Sequence, residues 1–175
     1  MPDNLATAAR AETMTLRRPR LSDGTRMWQI ACDSGVLDVN SSYAYLLWCR
    51  DFRNTSAVAE LDGRVVGFVT GYIRSEAPDT VFIWQVAVDA AARGRGIGVA
   101  MLDRVLTRVR PFSVRFVETT ITAQNSGSIA MFTSLARRHD TGIYCRPLLS
   151  ADHFPDTHET EDLYTIGPIH KGGHR

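Results

Sequence analysis

A glycine- and arginine-rich turn, Arg93-Gly94-Arg95-Gly96-Ile97-Gly98, is the first stretch whose residue types and spacing indicate a chemistry. Glycines in a turn that leads into a helix let backbone N–H groups approach a ligand without obstruction by Cβ atoms. The same N–H groups lie at the positive end of the helix dipole, and the two arginines add cations beside them. Several charge-assisted hydrogen bonds of this kind suit a pyrophosphate. The turn therefore predicts a phosphate-binding site.

Two common nucleotide-binding motifs do not fit this turn. A dinucleotide-binding turn needs a glycine or alanine three residues after Gly96, where this chain has Val99. Glu118 lies about as far after the glycine turn as the ribose-binding acid of a dinucleotide-binding motif does, but that motif also needs the missing glycine or alanine. A Walker A loop ends in Gly-Lys-Ser or Gly-Lys-Thr, and the chain contains neither sequence.

The carboxylates considered for proton transfer or for binding a cation are Asp38, Glu118, Glu159 and Glu161. Asp38 lies between two aliphatic residues and outside the first turn of either flanking helix. It acts either in the chemistry or in a hydrogen bond that braces its loop. Trp84 provides either a cation–π face or a core aromatic side chain on a buried strand.

Hydrophobic patterning places the glycine turn between a strand and a helix. Residues 81–88 are rich in β-branched and aromatic residues and are interrupted only by Gln85, which is typical of a buried strand. Asp62-Gly63 predicts a tight turn between two further strands. After the glycine turn, apolar residues recur on one stripe of an amphipathic helix: Met101, Leu102, Val105, Leu106 and Val109.

The remaining patterns predict the order strand, helix, helix, three strands, helix, strand, helix and two strands. Pro78-Asp79 is expected to form a loop before the strand at 81–88, and a later strand is expected at 113–122. A helix is predicted at 42–52. Its expected buried stripe is Tyr45, Leu46, Cys49 and Phe52.

Length and composition set the expectations for domains and partners. A chain of 175 residues suits one domain, expected at residues 14–169 between disordered tails at 1–13 and 170–175. The net charge of +1 gives no reason to expect nucleic acid or an acidic membrane surface as a partner. The three cysteines are far apart, no residues have metal-ligand spacing, and no apolar run approaches about 18 residues. A cytoplasmic protein without a metal is expected.

The glycine turn resembles the acetyl-CoA signature Gln/Arg-x-x-Gly-x-Gly/Ala of the GNAT acetyltransferase superfamily, which Arg93, Gly96 and Gly98 match. The resemblance implies an α/β (α+β) GNAT fold, with a mixed central sheet of about six to seven strands and about four flanking helices. It also implies acetyl-CoA as the co-substrate. The residues that it assigns to acetyl-CoA are Val86, Ala87, Val88, Arg93, Gly94, Arg95, Gly96, Ile97, Gly98, Val99, Asn125 and Phe132.

Two positions depart from the pattern that the superfamily implies. Many GNAT enzymes carry a glutamate base where this chain has Gln85, and many carry a tyrosine proton donor where it has Phe132. Neither replacement can exchange a proton. The site must then either favour the neutral amine by burial or remove its proton through another carboxylate and water. The leaving thiolate is protonated by Tyr43 or by water, or it leaves unassisted.

Longer motifs resemble the L-2,4-diaminobutyrate acetyltransferases of ectoine synthesis over residues 16–168. They are Asp38-Val-Asn40-Ser-x-Tyr43, Phe82-Ile-Trp84-Gln85-Val-Ala-Val, Glu118-Thr-Thr120-Ile-Thr and His158-Glu159-x-Glu161-x-Leu163. The resemblance implies direct acetyl transfer from acetyl-CoA to the γ-amine of L-2,4-diaminobutyrate in a ternary complex. It also implies a cytoplasmic homodimer.

The same resemblance assigns roles to individual residues. Asp38 and Glu161 are expected to hold the two amines, and the base is one of them or Glu118 acting through water. The substrate carboxylate is expected at Asn40, Tyr43 and Thr120, beside a wall formed by Trp84. The substrate-binding set is Asp38, Asn40, Tyr43, Trp84, Gln85, Thr120, Glu159 and Glu161, and the catalytic set is Asp38, Glu118 and Tyr43.

Two alternative functions stay open at this point. One is a GNAT enzyme for another amine, such as a polyamine, an amino-sugar antibiotic or a protein N-terminus, with the acidic loop 152–162 lining its groove. The other is a catalytically silent module that binds acyl-CoA, because Gln85 and Phe132 replace both proton-exchanging side chains. Turnover of any amine at a useful rate would exclude the silent module.

Overall fold

The computed structural model describes residues 12–170. Its strands and helices in chain order are β1 (Met14–Arg17), α1 (Gly24–Ser34), α2 (Ser42–Arg50), β2 (Ala57–Leu61), β3 (Arg64–Arg74), β4 (Ala77–Val88), α3 (Ile97–Val109), β5 (Phe116–Thr122), α4 (Ser126–Arg138), β6 (Ile143–Leu149) and β7 (Glu161–Ile166). The predicted order of strands and helices is confirmed. The predicted tails fall largely outside the described residues. Thr13, which the sequence assigned to a tail, exchanges two hydrogen bonds with Asp62.

One seven-stranded sheet organises the described residues, with the strand order β1-β2-β3-β4-β5-β7-β6. Neighbouring strands are antiparallel except β4 and β5, which run parallel. The predicted mixed sheet with four flanking helices is therefore confirmed. The turn at Asp62-Gly63 is also confirmed, since both residues have the positive φ angles of a tight hairpin.

Two apolar clusters cover the two faces of the sheet. The larger cluster joins the sheet to α3 and α4, and it contains every residue of the apolar stripe predicted for α3. The smaller cluster joins the other face to α1 and α2, with Met27, Ile30 and Tyr45 at its centre. Burying one large apolar side chain contributes about 1.5–3 kcal/mol. This packing holds β4 between two helical layers.

The strands β4 and β5 separate before they end. They pair only where Thr80–Phe82 faces Phe116–Glu118. In the described residues no further pair joins them, although β4 continues to Val88 and β5 to Thr122. A gap therefore opens between the carboxyl-terminal parts of two parallel strands, which is a common position for a ligand in sheets of this kind.

A β-bulge in β4 changes the face that its side chains occupy. Between two consecutive residues of β3, β4 gains one residue, so Trp84 has no partner opposite it. Ile83 packs in the cluster on the α3 and α4 side, whereas Ala87 belongs to the cluster on the α1 and α2 side. Trp84 and Gln85 both contact residues of α2. The bulge thus presents two consecutive side chains to the same face.

The predicted stripe of α2 is partly wrong. Tyr45 and Cys49 are buried as expected, but Leu46 and Phe52 are each 39% exposed. Leu46 lies against the first residue of α1, and α2 ends before Phe52. Trp48 takes the sheet-facing position instead, because its ring packs on aromatic residues of β3 and β4.

Two strand boundaries also differ from the predictions. β4 already includes Pro78-Asp79, which was expected to form a loop. Pro78 fits there because it has no partner on either side. The register with β3 shifts between Ile73 and Arg74, and β5 pairs with β4 only from Thr80 onwards, so the missing N–H costs no ladder bond. β5 begins at Phe116 rather than at Ser113, whose φ of 63° is left-handed and not extended.

Candidate active site

A cavity of about 800 Å³ occupies the gap between β4 and β5 and extends to the starts of α3 and α4. This volume is within the usual range for a small-ligand site. Most residues that the sequence assigned to acetyl-CoA line it, namely Val86, Ala87, Val88, Arg93, Gly94, Gly96, Ile97, Gly98, Val99 and Asn125. The remaining two lie elsewhere. Phe132 is 2% exposed within the core, and Arg95 pairs with Glu12 beside a neighbouring cavity.

The glycine turn forms the end of the cavity at α3. Gly94 and Gly96 have left-handed φ angles of 76° and 72°, which glycine adopts without strain. Gly96 is the N-cap of α3, so the first N–H groups of that helix have no partner within it. A Cβ on Gly98 would lie 2.5 Å from Met131 Sδ, which shows how closely α3 approaches α4 here. This end of the cavity suits an anion.

Asn125 orders the neighbouring helix start. Its Oδ1 accepts a hydrogen bond from the Ser128 N–H at 3.0 Å and so caps α4. The cavity is therefore bordered by the N-termini of two helices, and both helix dipoles favour negative charge there.

A cluster of an imidazole and carboxylates lies beside the same gap. His158 Nε2 is 3.0 Å from Asp38 Oδ2 and 3.7 Å from Glu161 Oε1. Glu161 is opposite Thr122, which lines the cavity, and Glu159 lines the cavity directly. The loop between β6 and β7 carries His158, and the ring of Phe154 stacks on the imidazole with centroids 3.9 Å apart. The cluster is suited to bind a cation and to move a proton.

Both ring nitrogens of His158 face hydrogen-bond acceptors. Nδ1 lies 2.8 Å from the backbone carbonyl of Glu159, and Nε2 faces the Asp38 carboxylate. Only the doubly protonated ring can donate to both. The Glu159 carbonyl, then the carboxylates of Asp38 and Glu161, therefore raise the pKa of His158 above its usual value. The ring can accept a proton only in its neutral form, which becomes more abundant as the pH rises through this raised pKa.

A buried chain of hydrogen bonds positions the loop that carries Asp38. The Tyr45 hydroxyl, which is fully buried, donates to Gln85 Oε1 at 3.0 Å. Gln85 Nε2 donates to the Asp38 backbone carbonyl at 2.8 Å. Burial raises the pKa of the Tyr45 phenol, so this side chain stays protonated and can donate. Asn40 also lies beside the Tyr45 hydroxyl. Gln85 thus holds the backbone of the Asp38 loop in position.

Trp84 belongs to an aromatic wall next to this loop. Its ring centroid is 6.1 Å from that of Trp48, and the wall continues through Tyr72 and Phe82. Trp84 is 49% exposed, so it is not the core residue that one interpretation of the sequence gave. The bulge aims its face away from the α3 and α4 layer.

Glu118 lies apart from the cluster around His158. Its carboxylate pairs with Arg74 at 2.6 Å and is 3.4 Å from the Thr165 hydroxyl. Thr122, opposite Glu161, lies four residues further along β5, which corresponds to about 13 Å. The structure therefore places Glu118 in an ion pair near the closed end of the gap.

The other predicted substrate residues are distributed around the gap. Thr120 is half-buried on β5, two residues before Thr122. Tyr43 is 64% exposed in the first turn of α2. Asp38 and Glu161 come together through His158, whereas Tyr43 has no side-chain hydrogen bond to them among the described residues.

Sequence reasoning missed three residues of this region: His158, Tyr45 and Trp48. His158 was part of the His-Glu-x-Glu motif, but only the two glutamates of that motif received roles. Tyr45 was assigned to the core, and its hydroxyl was the signal that a partner had to exist. Within residues 12–170, no three or more His, Cys, Asp or Glu side chains are grouped so that they could hold a metal ion.

Comparisons with known proteins agree with this geometry. The model of the acetyltransferase (GNAT) family matches residues 23–136. The L-2,4-diaminobutyric acid acetyltransferase of Nocardia farcinica is 57% identical over 91% of this chain and 83% of its own length. The enzyme of the same description from Halomonas elongata is 42% identical over 91% of this chain and 83% of its own length.

A solved structure extends the likeness to three dimensions. It is the diaminobutyrate acetyltransferase EctA from Paenibacillus lautus, in complex with its substrate L-2,4-diaminobutyric acid and coenzyme A. It superposes with a TM-score of 0.87 at 37% identity, covering 94% of this chain and all of that one. This chain therefore belongs to the acetyltransferase (GNAT) family and, within it, to the L-2,4-diaminobutyric acid acetyltransferases.

Proposed function

We propose that the chain transfers the acetyl group of acetyl-CoA to the γ-amine of L-2,4-diaminobutyrate. The observation that carries this proposal is the cluster of His158, Asp38 and Glu161 beside the large cavity. The other end of that cavity, at Gly94, Gly96 and the start of α3, suits an anion and is called the pyrophosphate cradle below. An acceptor amine and a phosphate-bearing donor can then meet in the gap between β4 and β5. The likeness to an enzyme solved with diaminobutyric acid and coenzyme A supports the same pair of ligands.

The donor is held by the residues that line the large cavity. Gly94, Gly96 and the first N–H groups of α3 bind the pyrophosphate, with Arg93 as a neighbouring cation. The edge of β4 at Val86–Val88 faces the gap and is free of β5, so it can pair with the pantetheine arm. A backbone N–H of this stretch stabilises the oxyanion that forms on the thioester carbonyl.

The acceptor is held by opposite charge and by shape. At neutral pH diaminobutyrate carries two ammonium groups and one carboxylate. Asp38 and Glu161 bind the ammonium groups, and the face of Trp84 contributes about 0.5–2 kcal/mol if a cation lies over it. Thr120, Asn40 and Tyr43 are proposed to orient the carboxylate, while Glu159 adds negative charge at the cavity wall and Gln85 holds the loop.

Proton transfer is assigned to His158. A primary amine near pKa 10 is neutral in only about one molecule in a thousand at pH 7, so a base is needed. His158 accepts the proton from the γ-ammonium, and the freed nitrogen lone pair attacks the thioester carbonyl carbon. The C–N bond forms and the C–S bond breaks. The nitrogen loses its second proton as the thiolate gains one, the proton passing through water or Tyr43, and His158 returns the first proton to solvent. Glu118 is engaged with Arg74 and is not needed as a base.

The test is product formation with a panel of amines. Purified protein is incubated with acetyl-CoA and with 2,4-diaminobutyrate, ornithine, lysine or spermidine, and free thiol and acetylated product are measured. We expect a strong preference for diaminobutyrate and acetylation of its γ-nitrogen. Faster turnover of another amine would show that this amine, and not diaminobutyrate, is the acceptor. Binding of acetyl-CoA without turnover of any amine would show that the protein is a catalytically silent module.

The acid limb of the pH profile should move when Asp38 is changed to Asn. The neutral imidazole is the active form, so kcat/KM rises with pH through the pKa of His158, which lies above its usual value in the native protein. Asp38→Asn removes a carboxylate that raises this pKa. The limb should then shift to lower pH, measured as kcat/KM for diaminobutyrate between pH 5.5 and 9.

The matched control for that experiment is Asp156→Asn. Asp156 is an exposed acid in the loop that carries His158. Its replacement removes the same charge without touching the imidazole, so the limb should stay in place. If the acidic side of the kcat/KM profile is unchanged in Asp38→Asn, His158 is not the base that titrates.

Tyr45→Phe should weaken the acceptor site while leaving the donor site intact. Without the hydroxyl, Gln85 Oε1 is left without its buried donor, at a cost of about 1–3 kcal/mol in folding free energy. The Asp38 loop loses its fixed position, so KM for diaminobutyrate should rise about tenfold with little change in KM for acetyl-CoA. Equal changes in both KM values would indicate general loosening of the fold.

Two further expectations rest on the family resemblance, namely a homodimer and a cytoplasmic location. In the described part of the chain, none of the helices combines the length and apolarity that a membrane span requires. Light scattering on the purified protein would measure its mass in solution, and fractionation of cells would establish its location.

A further inference from the structure

A second concave surface, remote from the acetyl-transfer site, is lined by arginines. A cavity of about 440 Å³ lies between β1, the segment after α2, and the second half of α3. Three separate parts of the chain supply five guanidinium groups to it: Arg18, Arg20, Arg53, Arg104 and Arg108. These five residues are called the arginine pocket below.

In the described part of the chain, no carboxylate forms an ion pair with the residues of the arginine pocket. Arg17, which also borders it, forms ion pairs with Asp23 and Glu60. In contrast, none of the five residues of the arginine pocket has an ion-pair partner among residues 12–170. The chain as a whole carries a net charge of only +1. The positive charge is therefore concentrated locally.

Arg108 is fixed at the inner side of the pocket. Its Nη1 donates to the backbone carbonyls of Arg53, Asn54 and Ser56 at 3.2, 3.3 and 2.6 Å. These bonds hold the guanidinium in place without neutralising its charge. Burial, and then the nearby charges of Arg18, Arg104 and Arg53, lower the pKa of Arg108 to about 10. The fold thus maintains a set of mutually repelling cations.

We propose that the arginine pocket binds a small phosphate-bearing anion other than the acetyl-CoA used in the reaction. Guanidinium groups bind phosphate oxygens through paired N–H donors, and several of them together select multivalent anions. The volume of the cavity suits a small molecule and not only a single ion. A bound anion would join β1 to α3 and so stabilise the fold.

The pocket is distinct from the pyrophosphate cradle. Arg104 and Arg108 lie seven and eleven residues after Ile97, the first residue of α3, which places them about 10 and 16 Å along the helix from the cradle. Asp103 of the same helix contacts Arg138, the last residue of α4, and His139, which follows it. The side of α3 that faces α4 is therefore not part of the arginine pocket.

The experiment is thermal unfolding of the full chain with saturating coenzyme A, so that the cradle is already filled. Orthophosphate, pyrophosphate and ATP are titrated separately at constant ionic strength, with sodium chloride as the reference. We expect a saturable rise in Tm of about 5 °C or more when the best anion reaches a hundredfold excess over its Kd. The order of the three anions identifies whether free phosphate, a diphosphate or a nucleotide is the source.

Paired variants locate the effect. Arg53→Gln combined with Arg104→Gln should weaken the anion midpoint at least tenfold. The control, Arg137→Gln combined with Arg146→Gln, removes the same charge at exposed positions elsewhere and should respond like the native protein. Equal responses in both double variants, a rise no larger than with sodium chloride, or binding of a nucleic-acid oligomer alone would each overturn the proposal.

Discussion

Replacing His158 by alanine should lower kcat/KM for diaminobutyrate about a thousandfold, within the range of about 10²–10⁴ that a positioned acid or base contributes. The imidazole is the group that joins Asp38 and Glu161, at 3.0 and 3.7 Å. Without it the ammonium of the acceptor keeps its proton unless water removes it. Steady-state thiol release measures the loss, and the residual rate should rise with pH as the free amine becomes more abundant.

His153→Ala is the matched control for this substitution. His153 lies in the same loop, is exposed and hydrogen bonds locally to Ser150. It should retain nearly native kcat/KM, so that a loss in His158→Ala alone points to the cluster and not to the loop. A His158→Ala enzyme with more than about a tenth of native activity would assign the base to a carboxylate or to water.

Gly96→Val should raise KM for acetyl-CoA about a hundredfold, a loss equivalent to one or two charge-assisted hydrogen bonds of about 1.5–3 kcal/mol each. Gly96 has a φ of 72°, and an added Cβ would meet no protein atom within 4 Å. The substitution therefore does not overfill the fold. It alters the backbone of the cradle, since a β-branched residue avoids this conformation.

The control, Gly63→Val, distinguishes the effect of backbone strain on folding from an effect on acetyl-CoA binding. Gly63 has a similar φ of 84° in the turn between β2 and β3, also with open space around it. Gly63→Val should lower Tm by an amount similar to Gly96→Val but leave KM for acetyl-CoA unchanged. If both variants bind acetyl-CoA as the native protein does, the glycine turn is not the pyrophosphate site.

Local signals explain why much of the fold was predictable from the sequence. The stripe of α3 repeats with the helical period, and Asp62-Gly63 specifies a tight turn, so both could be identified without tertiary contacts. Most residues assigned to acetyl-CoA line one cavity because the motif itself is a contiguous strand, turn and helix start. The two exceptions are Arg95, which pairs with Glu12, and Phe132, whose burial in the core depends on how α4 packs.

Long-range contacts explain what the sequence concealed. His158 meets Asp38 across 120 residues, so their pairing depends on where the β6–β7 loop folds back. The partner of Glu118 is Arg74 on β3, which no local pattern indicates. The bulge at Trp84 depends on the register between β3 and β4, and a strictly alternating pattern would have placed Trp84 and Gln85 on opposite faces.

The separation of β4 and β5 divides the control of selectivity between two sets of residues. In the proposed function, contacts to the acyl donor come from the edge of β4 and the starts of α3 and α4, whereas contacts to the amine come from the α2 side and the β6–β7 loop. Changes in one set need not disturb the other, except at Val36 and Glu159, which also line the large cavity. A variant library restricted to the other residues of the β6–β7 loop and of the segment before α2 should therefore diversify the accepted amines while the affinity for the acyl donor stays unchanged.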